Sequence, residues 1–349
     1  MRLPGMGRLR EVQHRLSEGT GGRALILLYH RVEDLQFDPQ LLAVTRQHFD
    51  EHVSLLERDY RTLRLTELID MLLAGSIPDR AVAVTFDDGY ADNLVNAKQI
   101  LDKHGVPATV FVASGYVGQD REFWWDELER LVLRPGVLPQ HLTLDIGGER
   151  FEASIPPSTS YSAEDQRRDA EWSVLREDTT PRHRLYRVLC DRLRSLPVHV
   201  RDNALGQIRD WAGCGPKARN THRPMSVREL RDLRVGGLVD VGAHTVNHSR
   251  LSAQPTKDQH REILDSKADL ERLCGCDVPT FSYPFGAKAD YTAESVALVR
   301  DAGFSGACSN FGGRVRSRTD PFQLPRYLVR DWDLPTFREN LDRWFSGRR

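Results

Sequence analysis

Apolar residues fall into short, nearly continuous runs bounded by turn residues: RALILLYH (23–30), AVAVTFDD (81–88), PATVFVAS (107–114), LVDVGAHT (238–245), TFSYPFG (280–286) and FSGACS (304–309). Apolarity without strict alternation is what strands buried on both faces of a parallel sheet require. Between these runs the period changes. FDEHVSLLERDY (49–60), LTELIDMLLAG (65–75), NLVNAKQILDKHG (93–105), QHREILDSKADLERLCG (259–275) and AESVALVRDAG (293–303) repeat apolar residues at helical spacing, and most stop at a glycine. Strand and helix in alternation mean βαβ units, so the class predicted is α/β.

The stretch 120–222 breaks the rhythm. It holds a hairpin signal, LTLDIGGERFEA with Gly147-Gly148 at the turn, followed by charged helical patterns. It is expected to be a mostly helical insertion on a barrel-like core at 23–119 and 223–335, with a helical extension at 1–22 and a C-terminal helix or tail at 336–349.

Composition narrows the function classes. The formal net charge of −1, with acidic and basic residues interleaved, leaves no electrostatic footprint for nucleic acid or an anionic membrane. No stretch approaches the roughly 18 apolar residues of a membrane span, and the start lacks a signal-peptide core, so a soluble, cytoplasmic protein is expected. Cys190, Cys214, Cys274, Cys276 and Cys308 are odd in number and irregularly spaced, which predicts reduced thiols.

In parallel barrels chemistry gathers where strands end. Four of the predicted strands end in reactive residues: Tyr29-His30, Asp87-Asp88, His244, and Tyr283-Pro284-Phe285-Gly286. Asp-Asp-Gly is ordinary turn chemistry, yet two adjacent carboxylates at the mouth of a buried strand repel unless a cation relieves them. His244 and His248 are four apart; on a helical turn they would share a face and could converge on one ion. Two histidines and one aspartate, with open positions for water, are the donors of a catalytic rather than a structural metal site. Gly89 is expected to allow the sharp turn, and Thr245 to fix an imidazole.

TFDDG followed far downstream by HTVNH resembles the polysaccharide deacetylase (NodB-homology) family of metal-dependent carbohydrate esterases, over roughly 24–118 and 225–330. The resemblance implies that Asp87 is the catalytic base and that Asp88, His244 and His248 hold a divalent ion, zinc first and cobalt, nickel or manganese next. FSYPFG matches a family motif in which the aromatic residue's backbone N–H stabilises an oxyanion, here Phe285. The family's base-bracing arginine is absent, its position being Ser282, with Arg326 as a substitute. The C-terminal catalytic histidine is also absent; LLYHRV resembles relatives with that histidine near the N-terminus, making His30 the general acid.

The fold so implied is a distorted, incomplete (β/α) barrel with parallel strands. The function implied is metal-dependent removal of N-acetyl, or O-acetyl, groups from a glycan or glycan precursor. A small cyclic amide or ureide hydrolase, or a silent glycan-binding module, are the alternatives. Trp124 and Trp125 could stack on sugar or pin the insertion. Asp331 and Asp333 could cap the last helix, with Trp332 lining the groove.

Overall fold

The computed structural model describes residues 22–156 and 160–347. All but the last residue of the expected extension over 1–22 lies outside them. The strands of the main sheet and of one hairpin are β1 (Ala24–Tyr29), β2 (Arg61–Thr62), β3 (Ala81–Phe86), β4 (Ala108–Val112), β5 (His141–Ile146), β6 (Glu149–Ser154), β7 (Val239–Ala243), β8 (Thr280–Ser282), β9 (Gly306–Cys308) and β10 (Tyr327–Leu328).

One sheet runs β9-β8-β7-β4-β3-β1-β10, with β2 beside β3, and every pairing in it is parallel. β1 and β3 are buried at all six positions, as continuous apolar runs demand. The two edges of this sheet do not form a ladder with each other. They are joined by the segment leading into β10: Leu324 bridges to Cys308 of β9, and Tyr327 pairs with Leu27 of β1. Pro325 stands at that change of partner, where no ladder N–H is required. The barrel is therefore distorted and incomplete.

Helices pack around it: α1 (Arg46–Asp59), α2 (Leu65–Leu73), α3 (Gln99–His104), α4 (Trp124–Val132), α5 (Pro181–Leu193), α6 (Val198–Ala212), α7 (Thr256–Cys274), α8 (Ala293–Asp301) and α9 (Leu334–Ser346). The helix expected over 93–105 instead begins with a wide π turn, Asn93–Lys98, before α3. From this turn Asn93 Nδ2 reaches the His30 carbonyl (2.9 Å) and Asn96 Nδ2 the Val32 carbonyl (2.7 Å), tying it to the end of β1. The strand expected over 280–286 stops at Ser282, because Pro284 has no N–H to give and Phe285 adopts φ 62°.

A second apolar cluster lies outside the barrel. Trp125 and Leu128 of α4, Leu189 of α5 and Leu205 of α6 pack there with Tyr90 and Tyr116, which follow β3 and β4. The β5–β6 hairpin turns at Gly147 (φ 64°) and Gly148 (φ 91°), both in the left-handed region a two-residue turn needs. All five cysteines are unpaired. Asp333 caps α9 by accepting from the Thr336 N–H, whereas Asp331 accepts from Thr45 and His48 at the start of α1. Trp332 packs on Trp344 rather than on the pocket described next.

Candidate active site

Register places the polar residues at one level. Tyr29 pairs with Phe86, so His30 and Asp87 leave their strands together, and the Asp87 N–H donates to the Tyr29 carbonyl (3.0 Å). Two strands along, the His244 N–H donates to the Val112 carbonyl (3.1 Å), and Ser282 pairs with Cys308. His30, Asp87, Asp88, His244, His248 and Phe285 accordingly line one pocket of about 480 Å³ at the carboxyl ends of the strands.

The backbone there is strained. Of six non-glycine residues with positive φ among the described residues, four stand on this rim: Asp88 (76°), Thr245 (62°), His248 (52°) and Phe285 (62°). Gly89 follows at φ 87°, and a Cβ on it would meet the Val112 side chain at 3.0 Å. The sharp turn expected of Gly89 is thus shared with Asp88, which swings both carboxylates inward. The histidines sit on a left-handed turn, not on a helix, so the helical-face argument for their convergence does not hold. Strain at Thr245 and His248 turns both rings to the same point instead.

His244 Nε2 lies 3.6 Å and His248 Nε2 3.3 Å from Asp88 Oδ1, and one ligand atom from each residue falls within 4.8 Å of the others. His244 Nδ1 donates to the Ser282 carbonyl (2.7 Å), which leaves Nε2 free to bind a cation. Thr245 does not hold a ring; its hydroxyl accepts from the Ser249 N–H (3.3 Å) and braces the turn. Burial lowers the pKa of both imidazoles, so both are neutral, the form that ligates. Burial and then Asp87 raise the Asp88 carboxyl well above its ordinary range. Its buried Oδ1 accepts no hydrogen bond among the described residues. An orphaned carboxylate oxygen between two neutral imidazoles fits a divalent cation of the zinc type.

Asp87 is different. Arg326 grips it with two bonds, Nη1 to Oδ1 and Nη2 to Oδ2, both 2.7 Å. Burial pushes the carboxyl up, but Arg326 and then His244 overcome this and hold it at about 2. Arg326 Nη2 also donates to Ser282 Oγ (2.8 Å), and Nε to the Ser309 carbonyl (2.7 Å). The small serine at 282, where the resemblance would place an arginine, accepts from Arg326 and leaves it room to reach Asp87. His30 has a buried Nδ1 without a hydrogen-bond partner. Burial, opposed by Asp87 and aided by Arg326, Arg330 and His244, lowers its pKa to about 3.

Phe285 also presents its ring, 4.7 Å from that of His248, with the Arg194 guanidinium 4.2 Å above it. Trp124 and Trp125 are buried, yet both line the pocket; Trp125 lies 4.7 Å from His248 and donates to Tyr90 Oη (2.8 Å). The sequence reading passed over Asp92, which takes two bonds from Arg31 (both 3.0 Å) and the Val32 N–H (3.1 Å), fixing the chain just past His30. The signal was in DDGYAD, whose third aspartate is as buried as the first two. From the stretch expected as an insertion, Arg187, Cys190, Asp191 and Arg194 follow one face of α5 and its C-terminal end along the pocket wall.

The fold and this rim define a parallel α/β barrel with a buried Asp–His–His cluster, able to hold a cation, where its strands end. Residues 74–187 and 215–307 match the model of the polysaccharide deacetylase family, and the chain belongs to that family. It is 30% identical over 122 residues to a putative polysaccharide deacetylase, YxkH, of Bacillus subtilis, covering 34% of this chain and 42% of that one. It is 31% identical over 110 residues to the poly-β-1,6-N-acetyl-D-glucosamine N-deacetylase of Staphylococcus aureus, covering 28% and 38%. The matched part is thus about two fifths of the length of these relatives. The structure of IcaB from Ammonifex degensii superposes with a TM-score of 0.57 over 93% of this chain and 97% of that chain, at 17% identity, which attests the shared fold. No helix among the described residues is long and apolar enough to cross a membrane.

Proposed function

We propose that the protein is a metal-dependent N-deacetylase acting on an N-acetylated glycan of the N-acetylglucosamine type. The observation that carries this reading is the buried Asp88–His244–His248 cluster beside a separately braced Asp87. A divalent cation held by those three residues would supply Lewis-acid polarisation of the acetamide carbonyl and a more acidic water. Asp87 takes the proton from the attacking water, its anionic form secured by Arg326. The Phe285 N–H donates to the oxygen on which negative charge develops. His30 gives a proton to the departing nitrogen. Because His30 is neutral in the free site, that proton must arrive during the reaction. The one removed by Asp87 balances the hydrolysis without any further acid. The substrate is drawn from what the staphylococcal relative's name says of that protein.

Chelation should abolish acetate release from an acetylated chito-oligosaccharide or its β-1,6 counterpart, and zinc or cobalt should restore it. Activity unaffected by a chelator, in protein shown to contain no transition metal, would remove the reading.

The α5 wall bears on length. A groove for the middle of a long chain must be open at both ends, and we infer that Arg187, Asp191 and Arg194, which help line this pocket, limit its length. Turnover should rise from monosaccharide to short oligosaccharide and then level off. A steady rise with chain length would instead call for an open groove.

A further inference from the structure

The turn carrying His244 and His248 can be accounted for bond by bond. Its N–H groups at Val246 and Asn247 both donate to Glu262 Oε2 of α7 (3.0 and 2.9 Å), and Asn247 Nδ2 donates to Oε1 (2.8 Å). The Thr245 and Val246 carbonyls accept from the Ser114 and Gly115 N–H groups beyond β4 (3.1 and 2.8 Å). The Asn247 carbonyl, one bond from His248, accepts from Arg201 Nη2 (3.0 Å).

Arg201 belongs to α6 of the insertion and has no exposed surface. Among the described residues its Nε and Nη1 have no hydrogen-bond partner, and its guanidinium lies 5.7 Å from the Trp124 ring centroid. A purely structural core position is better filled by an apolar side chain than by a buried cation with one hydrogen bond. Glu262 is in the converse position: a nearly buried carboxylate whose oxygens, among the described residues, take only N–H groups of this turn. Each charge meets the pole it favours: the anion meets two successive N–H groups of the turn, and the cation meets the carbonyl that follows them.

We propose that Arg201 and Glu262 form a charge clamp across Val246–Asn247 that holds the strained turn and so aims His248 at the cation site. Both are positioning residues, and the insertion is through Arg201 a working part of that site. This inference rests on the proposed reading of Asp88, His244 and His248 as ligands.

The test uses the full-length protein, stripped of metal and titrated with zinc, with cobalt for its ligand-field spectrum. Arg201→Met and Glu262→Gln should each weaken metal binding by about 10–100-fold, the usual effect of losing a residue that orients a ligand. The cobalt spectrum should shift. Arg201→Lys, which keeps the charge and a donor, should recover much of the affinity. In the double variant the loss should be smaller than the product of the single losses, because each charge acts against the other. A change in unfolding temperature alone, with wild-type affinity and spectrum in these variants, would overturn the clamp. Wild-type protein that binds neither ion would overturn the ligand reading itself, and the clamp with it. Should Arg201→Met fail to fold, Glu262→Gln and Arg201→Lys decide the matter by the same two readouts.

Discussion

Replacing Asp87 by Asn should leave a protein that binds its cation and does not turn over, whereas Asp88→Ala should lose both. The two carboxylates are neighbours in sequence but are held by opposite means. Asp87 has both oxygens on Arg326 and stays ionised, so its charge does not depend on a metal. An amide there cannot take a proton from water, and loss of a general base typically costs about 10²–10⁴-fold in rate. Asp88 has no cationic partner; its pKa is raised by burial and by Asp87. An acid whose folded pKa exceeds its unfolded one binds more protons when folded, so stability falls as pH rises from the unfolded value toward the folded one. At neutral pH the metal-free protein therefore carries a cost at Asp88 that a cation removes. Metal-free Asp88→Asn, which loses the charge and tolerates φ 76° as Asp does, should unfold at a higher temperature than the metal-free wild type. Added zinc should then raise the wild type well above the variant. Metal content, acetate release and thermal unfolding measured on the three variants check every arm. An active Asp87→Asn would show that the base lies elsewhere.

Much of the fold was legible because burial writes itself into the chain. Each of the six apolar runs became a strand of the sheet, and the five helical patterns became helices. The parallel α/β class followed from those periods alone. What the pattern could not give is where strained backbone redirects a strand end. No period marks left-handed residues at Asp88, Thr245, His248 and Phe285, so the convergence of the two histidines was ascribed to a helix that is not there. The π turn after Asp92 is equally silent, since one extra residue per turn hardly disturbs an apolar spacing. Partners far along the chain are the other blind spot. Asn247 lies 46 positions from Arg201, and Arg326, 239 positions from Asp87, was named only as a substitute for the missing arginine. Nothing local distinguishes a buried guanidinium from a solvated one. Resemblance supplied the candidate residues where periodicity ran out, and at one of its two stated departures, the serine at 282, the structure brings in Arg326 from just before β10.

Arg326→Met should be the costliest single change outside Asp88, His244 and His248. In the wild type Asp87 is held at about 2, below the ordinary carboxylate value, through Arg326 and His244 acting against burial. A depressed folded pKa means that the stabilisation is present above the unfolded value and is lost as pH falls through about 2. Without the guanidinium, burial acts with little opposition and Asp87 shifts upward, reversing the sign: the variant should be relatively less handicapped in acid and lose stability as pH rises. Breaking a buried pair by removing one partner typically costs about 3–5 kcal/mol at neutral pH, because a charge is left uncompensated. The double variant Arg326→Met/Asp87→Asn should recover a good part of that stability, though none of the activity. For turnover, an adjacent arginine lowers a carboxyl by about 1–3 units, so the acidic limb of kcat/KM in the single variant should move up by that much. Arg326→Lys should fall between, since an ammonium restores the charge but cannot form the paired bonds to both oxygens. Thermal unfolding across the acid range together with pH–rate profiles reads all of this. If Arg326→Met leaves the acidic limb where it was, Asp87 is not the group that titrates in it, and the brace is structural only.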